Sequence, residues 1–295
     1  MTKLQVFAKG GLGNQLIQIA YSHNLLSNQQ DKIIVNTFYF SRLYAKISGN
    51  TPRKFKYTLL PDYIDDTYSH LLGLFYFIKL KILSLVKSRR VVDDNRPLLI
   101  INDDSSFGMI FIDGYFQGEA AFNANTNFYW NQVANKVCLN VSNYTSIVNE
   151  YQNSIIIHIR HGDYLNAENL RIFYIQDVNH QIKKAIDLNN QLNLKLKINI
   201  LSDPSTNLWD KISPDVINCV NILPSRSELE DLLVIASHRY IIASNSTFCL
   251  CAAKISEYIT GNSNHLILPD NWYVDQNHSD SLISSLANCT FANRA

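Results

Sequence analysis

The chain is poor in several features, and each shortage closes a class of function. Its five cysteines, Cys138, Cys219, Cys249, Cys251 and Cys289, are scattered through 295 residues. They form no Cys-x-x-Cys pair and no Cys/His cluster with zinc spacing. Cys249 and Cys251 share a helical stretch, where residues two apart point to different faces. An odd, dispersed set of this kind reads as reduced thiols in a reducing compartment, not as the frame of a disulfide-stapled scaffold. No uninterrupted apolar run reaches the ~20 residues needed to cross a bilayer. The opening residues enter a strand without the apolar core of a signal peptide. There is no Asp-x-Asp, no G-x-G-x-x-G and no G-x-x-x-x-G-K-[S/T] in the chain, so the dinucleotide and P-loop signatures are missing. The doublets Asp65-Asp66, Asp93-Asp94 and Asp103-Asp104 lie in polar loops, and carboxylates placed to share a metal on a nucleotide diphosphate are not in view.

What the chain has is an ample supply of core. Hydrophobic residues make up 46 %, enough for one large domain or two of ordinary size. The net charge is only +1, but it is unevenly spread. Residues 1–90 carry 13 Lys/Arg against 4 Asp/Glu, and residues 91–295 carry 13 against 21. A basic N-terminal part suits phosphates or an acidic membrane surface, or it simply solvates a face.

Short apolar runs alternate with helical segments. The runs are Leu4–Lys9, Lys32–Thr37, Met109–Phe116, Ser154–Arg160, Leu196–Asp203, Arg239–Ser246 and His265–Trp272. This alternation predicts an α/β fold with parallel sheets and right-handed crossovers. Ser227 and Glu230 have the spacing of a capping box for a helix carrying Leu229, Leu232, Leu233 and Ala236 on one face. A short amphipathic helix is expected around Trp209, with the indole in the core. The polar stretch Ser142–Asn153 reads as the boundary between domains 1–148 and 149–295. The run Leu71–Arg90, broken by Lys79 and Lys81, is either a helix lying on a membrane surface or one packed on the domain.

In open parallel sheets, ligands bind outside the carboxyl ends of the strands, and polar residues gather at those places here. "GGLGNQ", Gly10 to Gln15, permits a tight turn and close backbone approach before a helix N-terminus. "SIIIHIRHGDYL" runs from a buried strand into His158, Arg160, His161 and Asp163. His158 and Arg160 share one strand face. Arg160 offers a planar fork of donors suited to phosphate oxygens, and Asp163 can orient it. Asp203 ends another strand and either reads a base or ribose or caps a helix. "SNSTF" places Asn245, Ser246 and Thr247 at a helix start, where hydroxyls and N–H groups hold phosphate.

These segments resemble the α-1,2-fucosyltransferases, glycosyltransferases that use GDP-fucose. The match runs through "GGLGNQLIQIAYSHNL", "GYFQGEAAF" (Gly114–Phe122), "HIRHGDY" (His158–Tyr164), "ILSD" (Ile200–Asp203), "EDLLVIASHRYIIASNSTF" (Glu230–Phe248) and "PDNWY" (Pro269–Tyr273). The resemblance implies two Rossmann-like domains facing a cleft, the GT-B arrangement: an N-terminal acceptor-side domain and a C-terminal nucleotide-sugar domain. It implies inverting, metal-independent transfer of L-fucose from GDP-β-L-fucose to the 2-hydroxyl of a galactoside. No cofactor and no nucleic-acid partner are expected.

Carried over residue by residue, Arg160 would meet the β-phosphate and His158 the nucleotide. Asp203 would read guanine. Asn245, Ser246 and Thr247 would lie on the phosphates, and Gly13 and Asn14 would face donor and acceptor. Asp163 is the candidate base. The sequence departs from the family pattern at His161, where a second Arg is usual, at Pro204, where a second Asp is common, and at Leu250 and Cys251, in place of tryptophans. A GDP-linked relative such as GDP-colitose, or a glycan- or nucleotide-binding module without turnover, are the alternatives. A lipid-linked acceptor and a cytoplasmic, peripheral place on the inner membrane face are expected from the basic half and residues 71–90.

Overall fold

The structure is a computed structural model, and it describes residues 3–26, 32–48, 54–65, 70–94, 109–203, 207–261 and 265–289. The chain divides into two compact units, Met1–Lys136 and Val137–Ala295, whereas the sequence reading sets the division after residue 148.

In the first unit, β1 (Lys3–Phe7), β2 (Lys32–Asn36), β3 (Val91–Val92) and β4 (Met109–Ile112) form a sheet in the order β2-β1-β4-β3. Every pairing is parallel. α1 (Leu12–Asn24) connects β1 to β2, and α2 (Arg42–Ser48) and α3 (His70–Leu85) lie between β2 and β3. α4 (Asn127–Asn140) carries the chain across the division. Phe7 of β1 and Phe111 of β4 stack at 6.2 Å and pack with Leu80 of α3.

The second unit follows with α5 (Tyr144–Tyr151), β5 (Ser154–Ile159), α6 (Val178–Gln191), β6 (Lys197–Ser202), α7 (Pro214–Ile217) and β7 (Val220–Ile222). Then come α8 (Glu228–Ala236), β8 (Tyr240–Ile242), α9 (Thr247–Ile259), β9 (His265–Ile267) and α10 (Gln276–Ala287). Its sheet is also wholly parallel, in the order β7-β6-β5-β8-β9. All six residues of β5 are buried, as expected for a central strand covered on both faces. Ile155, Ile157 and Ile159 join a cluster with Val178, Ile182 and Ala185 of α6. Each of the isoleucines and Val178 contributes roughly 1.5–3 kcal/mol by leaving water. The alternate residues Ile156 and His158 therefore point to the other side of the sheet, where His158 meets Phe248 of α9 at 6.0 Å between ring centroids.

Local signals act as expected at several ends. The Ser227–Glu230 capping box is present at α8, with Ser227 Oγ accepting from the Glu230 N–H and the Glu230 carboxylate accepting from the Ser227 N–H. Asp177 caps α6 through the Asn179 N–H.

Two expectations change. The stretch around Trp209 is a turn, not a helix, and the indole is 61 % exposed. Its neighbours Leu208 and Ile212 are the ones buried, so that apolar pair is anchored without a helix. The polar stretch Ser142–Asn153 contains α5, whose Ile147 and Tyr151 are buried one turn apart and which packs on α8. The helix expected over Leu71–Arg90 is present as α3 through Leu85, and residues 86–90 lie outside the described residues. Among the described residues no helix is long and apolar enough to cross a membrane.

Candidate active site

The second sheet is doubly wound. From β5 the chain passes through α6 to β6 on one side, and it later returns to place β8 on the other. The crevice outside the carboxyl ends of β5 and β8 is thus the switch point of strand order, the place where such sheets bind ligands. The residues leaving those two strands are His158 and Arg160 from β5 and Ser244 to Thr247 from β8.

His158 Nδ1 lies 2.6 Å from Ser244 Oγ, a contact that bridges the switch point. The imidazole is buried, and its pKa is pushed down to about 3, first by burial and then by the neighbouring Arg160 charge. It is therefore a neutral hydrogen-bonding group at any ordinary pH. Arg160 is half-buried just beyond the strand end. Its guanidinium carbon sits 5.9 Å from the centre of the Tyr164 ring. That ring stacks on Phe173 at 4.3 Å and donates its hydroxyl to the Asn245 carbonyl at 2.8 Å. Tyr164 thus supports the fork of Arg160 from below and ties the turn after β5 to the turn after β8.

Asp203, following β6, grips the same turn. Its Oδ2 accepts the backbone N–H groups of His161 at 3.0 Å and Gly162 at 2.9 Å. A Cβ on Gly162 would lie 2.8 Å from Asp203 Oδ1, so glycine is needed here for close approach. The His161 ring does not join Arg160. It is buried, with Nε2 3.0 Å from the Gln176 carbonyl and Nδ1 2.9 Å from the Lys211 ammonium. That pattern fits a neutral ring donating through Nε2 and accepting from Lys211. Burial, the largest cause, and the Lys211 charge both lower its pKa, against the Gln176 carbonyl. The side chain of Asp163 lies outside the described residues, and its backbone forms part of the 3-10 turn Gly162–Leu165.

Asn245 is buried and donates to the Tyr174 and Trp272 carbonyls at 2.8 and 2.9 Å, so its amide fastens the loops around the site. Ser246 is the N-cap of α9 and makes no side-chain cap bond, and Thr247 opens the helix. The first turn of α9 holds no acidic residue, so no carboxylate of its own turn repels an anion placed there. In the first unit, Gly13 and Asn14 stand in the first turn of α1, which also lacks an acidic residue and has Gly11 as its N-cap. Gly10 adopts φ +82, and a Cβ on it would meet Asn14 Nδ2 at 2.7 Å.

The sequence reading did not single out Ser244 or assign a role to Tyr164, although both lie inside its quoted motifs. Phe173 and Lys211 carried no local signal. An arginine fork, neutral hydrogen-bonding groups and a helix N-terminus gathered at a switch point have the chemistry that suits phosphate oxygens.

A profile of glycosyl transferase family 11 matches residues 103–286, more than half of the chain. The chain belongs to glycosyl transferase family 11. The matched region contains every second-unit residue placed at the site here, while Gly13 and Asn14 precede it. No curated protein sequence matches the chain. Among solved structures, it is similar to fucosyltransferase NodZ from Bradyrhizobium, with a TM-score of 0.51 and 14% identity over 85% of this chain and 91% of that one. A NodZ alpha-1,6-fucosyltransferase soaked with GDP-fucose aligns at a TM-score of 0.49 and 15% identity over 86% of this chain and 92% of that one. POFUT1 in complex with GDP aligns at 0.44 and 8%, over 90% and 98%. At these identities the likeness to NodZ is one of fold. Family 11 membership makes the chain a glycosyltransferase.

Proposed function

We propose that this family 11 protein moves L-fucose from GDP-β-L-fucose to the 2-hydroxyl of a galactoside, with inversion and without a metal ion. The observation that carries the reading is that Arg160 follows β5 and Ser246–Thr247 follow its sheet neighbour β8, the two turns being joined by Tyr164, which lies under the Arg160 guanidinium and donates to the Asn245 carbonyl. The fold shared with the NodZ fucosyltransferase supports fucose as the sugar. The motifs "GGLGNQ", "HIRHGDY" and "SNSTF" support the α-1,2 linkage. The fold alone does not dictate linkage, since one NodZ structure is described as an alpha-1,6-fucosyltransferase. In this reading the arrangement is of GT-B type, with the nucleotide on the C-terminal unit and the acceptor on the N-terminal one.

The chemistry follows from charge. The acceptor oxygen attacks the anomeric carbon, the bond from that carbon to the β-phosphate oxygen breaks, and GDP leaves with the electron pair. Arg160 and the α9 N-terminus stabilise the growing negative charge. Attack opposite the leaving group turns a β-donor into an α-product. The acceptor proton passes to a base, for which Asp163 is the candidate and a departing phosphate oxygen the alternative. A donor-by-acceptor screen tests the reading. GDP-fucose should be the preferred donor over GDP-colitose, and the Arg160→Ala variant should be inactive with its fold intact.

The reading extends to a membrane. α3 turns Leu71, Phe75, Ile78, Ile82 and Leu85 outward, each between 51% and 83% exposed. This stripe keeps to one helix face, and an apolar face left in water suits a binding surface. α2, packed on α3 through Tyr44 and Phe77, exposes Leu43 and Ile47 one turn apart. The two helices carry the exposed cations Arg42, Lys46, Lys79 and Lys81 and no acidic residue. Apolar side chains rimmed by cations fit an anionic phospholipid surface. A second copy of the chain would set like charges against each other.

A further inference from the structure

The first sheet has a switch point of its own. From β1 the chain crosses to β2 on one side, while β4 lies on the other. The residues beyond these two strands are Lys9 and Asp113, and Lys9 Nζ donates to Asp113 Oδ1 at 3.0 Å across the crevice. Tyr39, beyond the end of β2, donates its hydroxyl to the same carboxylate at 3.1 Å. Three neighbouring strand ends therefore deliver a cation, a carboxylate and a phenol to one spot.

The backbone there is built with strain. Phe116 adopts φ 50, a left-handed conformation that costs a bulky residue on the order of 1–3 kcal/mol and needs its surroundings to hold it. Its ring is clamped flat on Tyr21 at 4.0 Å. Asp94 accepts the N–H groups of both Tyr115 and Phe116. A Cβ on Gly114 would lie 2.6 Å from the Phe116 ring. The product of this arrangement is Tyr115, held outward and 41 % exposed, with Lys9 Nζ 4.9 Å from its ring centre. One residue on, Gln117 reaches Asn14. The strained turn, held by Asp94 and by the Phe116–Tyr21 stack, thus fixes the backbone on which Tyr115 stands.

We infer that Tyr115, Lys9 and Asp113 form the subsite for the acceptor sugar. The Tyr115 ring is the platform for the apolar C–H face of a neutral pyranose. Lys9 donates to ring hydroxyls and Asp113 accepts from them. The inference rests on the proposed transferase reading and names the acceptor side of it.

The test combines steady-state kinetics and saturation-transfer NMR on the full chain, with lactose as the probe and Tyr115→Ala and Tyr115→Phe as variants. Tyr115→Ala should raise the lactose KM tenfold or more while the GDP-fucose KM, the GDP Kd and the melting temperature stay put. Tyr115→Phe keeps the platform and should stay within about threefold of wild type. Lactose protons should receive saturation from the wild type and lose it in Tyr115→Ala. A Tyr115→Ala protein that melts as wild type and keeps its lactose KM overturns the inference, as does a wild type that transfers fucose yet shows no lactose contact. A wild type that shows the Tyr115-dependent lactose contact but takes no fucose from GDP-fucose sinks the transferase reading and leaves the sugar subsite standing.

Discussion

A Cβ atom on Gly162 would lie 2.8 Å from Oδ1 of Asp203, while Oδ2 of that carboxylate accepts the Gly162 N–H at 2.9 Å. One carboxylate thereby fixes the turn that follows Arg160. Gly162→Ala must push Asp203 away, an overpacking that costs about 1–3 kcal/mol. Urea unfolding of the variant should show that loss, and calorimetry should show weaker GDP binding because the turn carrying Arg160 shifts. A variant with unchanged stability and unchanged GDP affinity would mean that this grip is idle.

The His161 position answers differently from what its sequence neighbourhood suggests. An arginine there would restore the family's usual second cation. The structure instead seats a neutral ring in a buried slot between the Gln176 carbonyl and Lys211. His161→Arg should therefore bring a charge against Lys211 and destabilise the chain by on the order of 3 kcal/mol. GDP affinity should not improve. Tighter GDP binding by a stable His161→Arg protein would contradict this placement.

Two buried histidines set a pH dependence. His158 and His238 both have folded pKa values near 3, lowered by burial, below the ordinary 6.5. His238 Nδ1 sits 2.6 Å from the Val234 carbonyl and Nε2 3.0 Å from the Asn199 amide nitrogen, a pattern that only a neutral ring satisfies. The unfolded chain therefore binds more protons than the folded one below pH 6.5. Stability is complete above that pH and is lost as pH falls from 6.5 toward 3. Between pH 7 and pH 5 each histidine should remove about 2 kcal/mol, as read from urea midpoints. His238→Gln should flatten the slope, and a flat profile in the wild type would argue against neutral burial.

Much of the fold could be read from local pattern because each hydrophobic run is long enough to show its period. All seven expected strands are present, and the two unexpected ones, β3 and β7, have two and three residues. The capping box at α8 is a local motif and formed as read. The roles of Asp203 and His161 depended on partners 41 and 50 residues away in sequence, Gly162 and Lys211, and no local signal names such partners. Trp209 went the same way, since Leu208 and Ile212 could anchor their segment without it.

The α3 stripe has a direct assay. The full chain should co-sediment with vesicles of phosphatidylglycerol and phosphatidylcholine, but not with phosphatidylcholine alone. Replacing both Phe75 and Ile82 by Ser removes exposed side chains only, and should cut binding at least tenfold at unchanged melting temperature. Lys46→Gln and Lys79→Gln should each weaken it about fivefold at low salt. Equal binding by all of these proteins, or none by any, would remove the membrane from the account.

The central claim is met most directly by one product. Wild-type protein is incubated with GDP-β-L-fucose and lactose in excess chelator, and the trisaccharide is assigned by NMR. The account predicts an α-L-fucosyl residue on the 2-hydroxyl of galactose, formed at full rate without a divalent ion. A β-linked product, a linkage to another hydroxyl, or transfer that stops in chelator would contradict it.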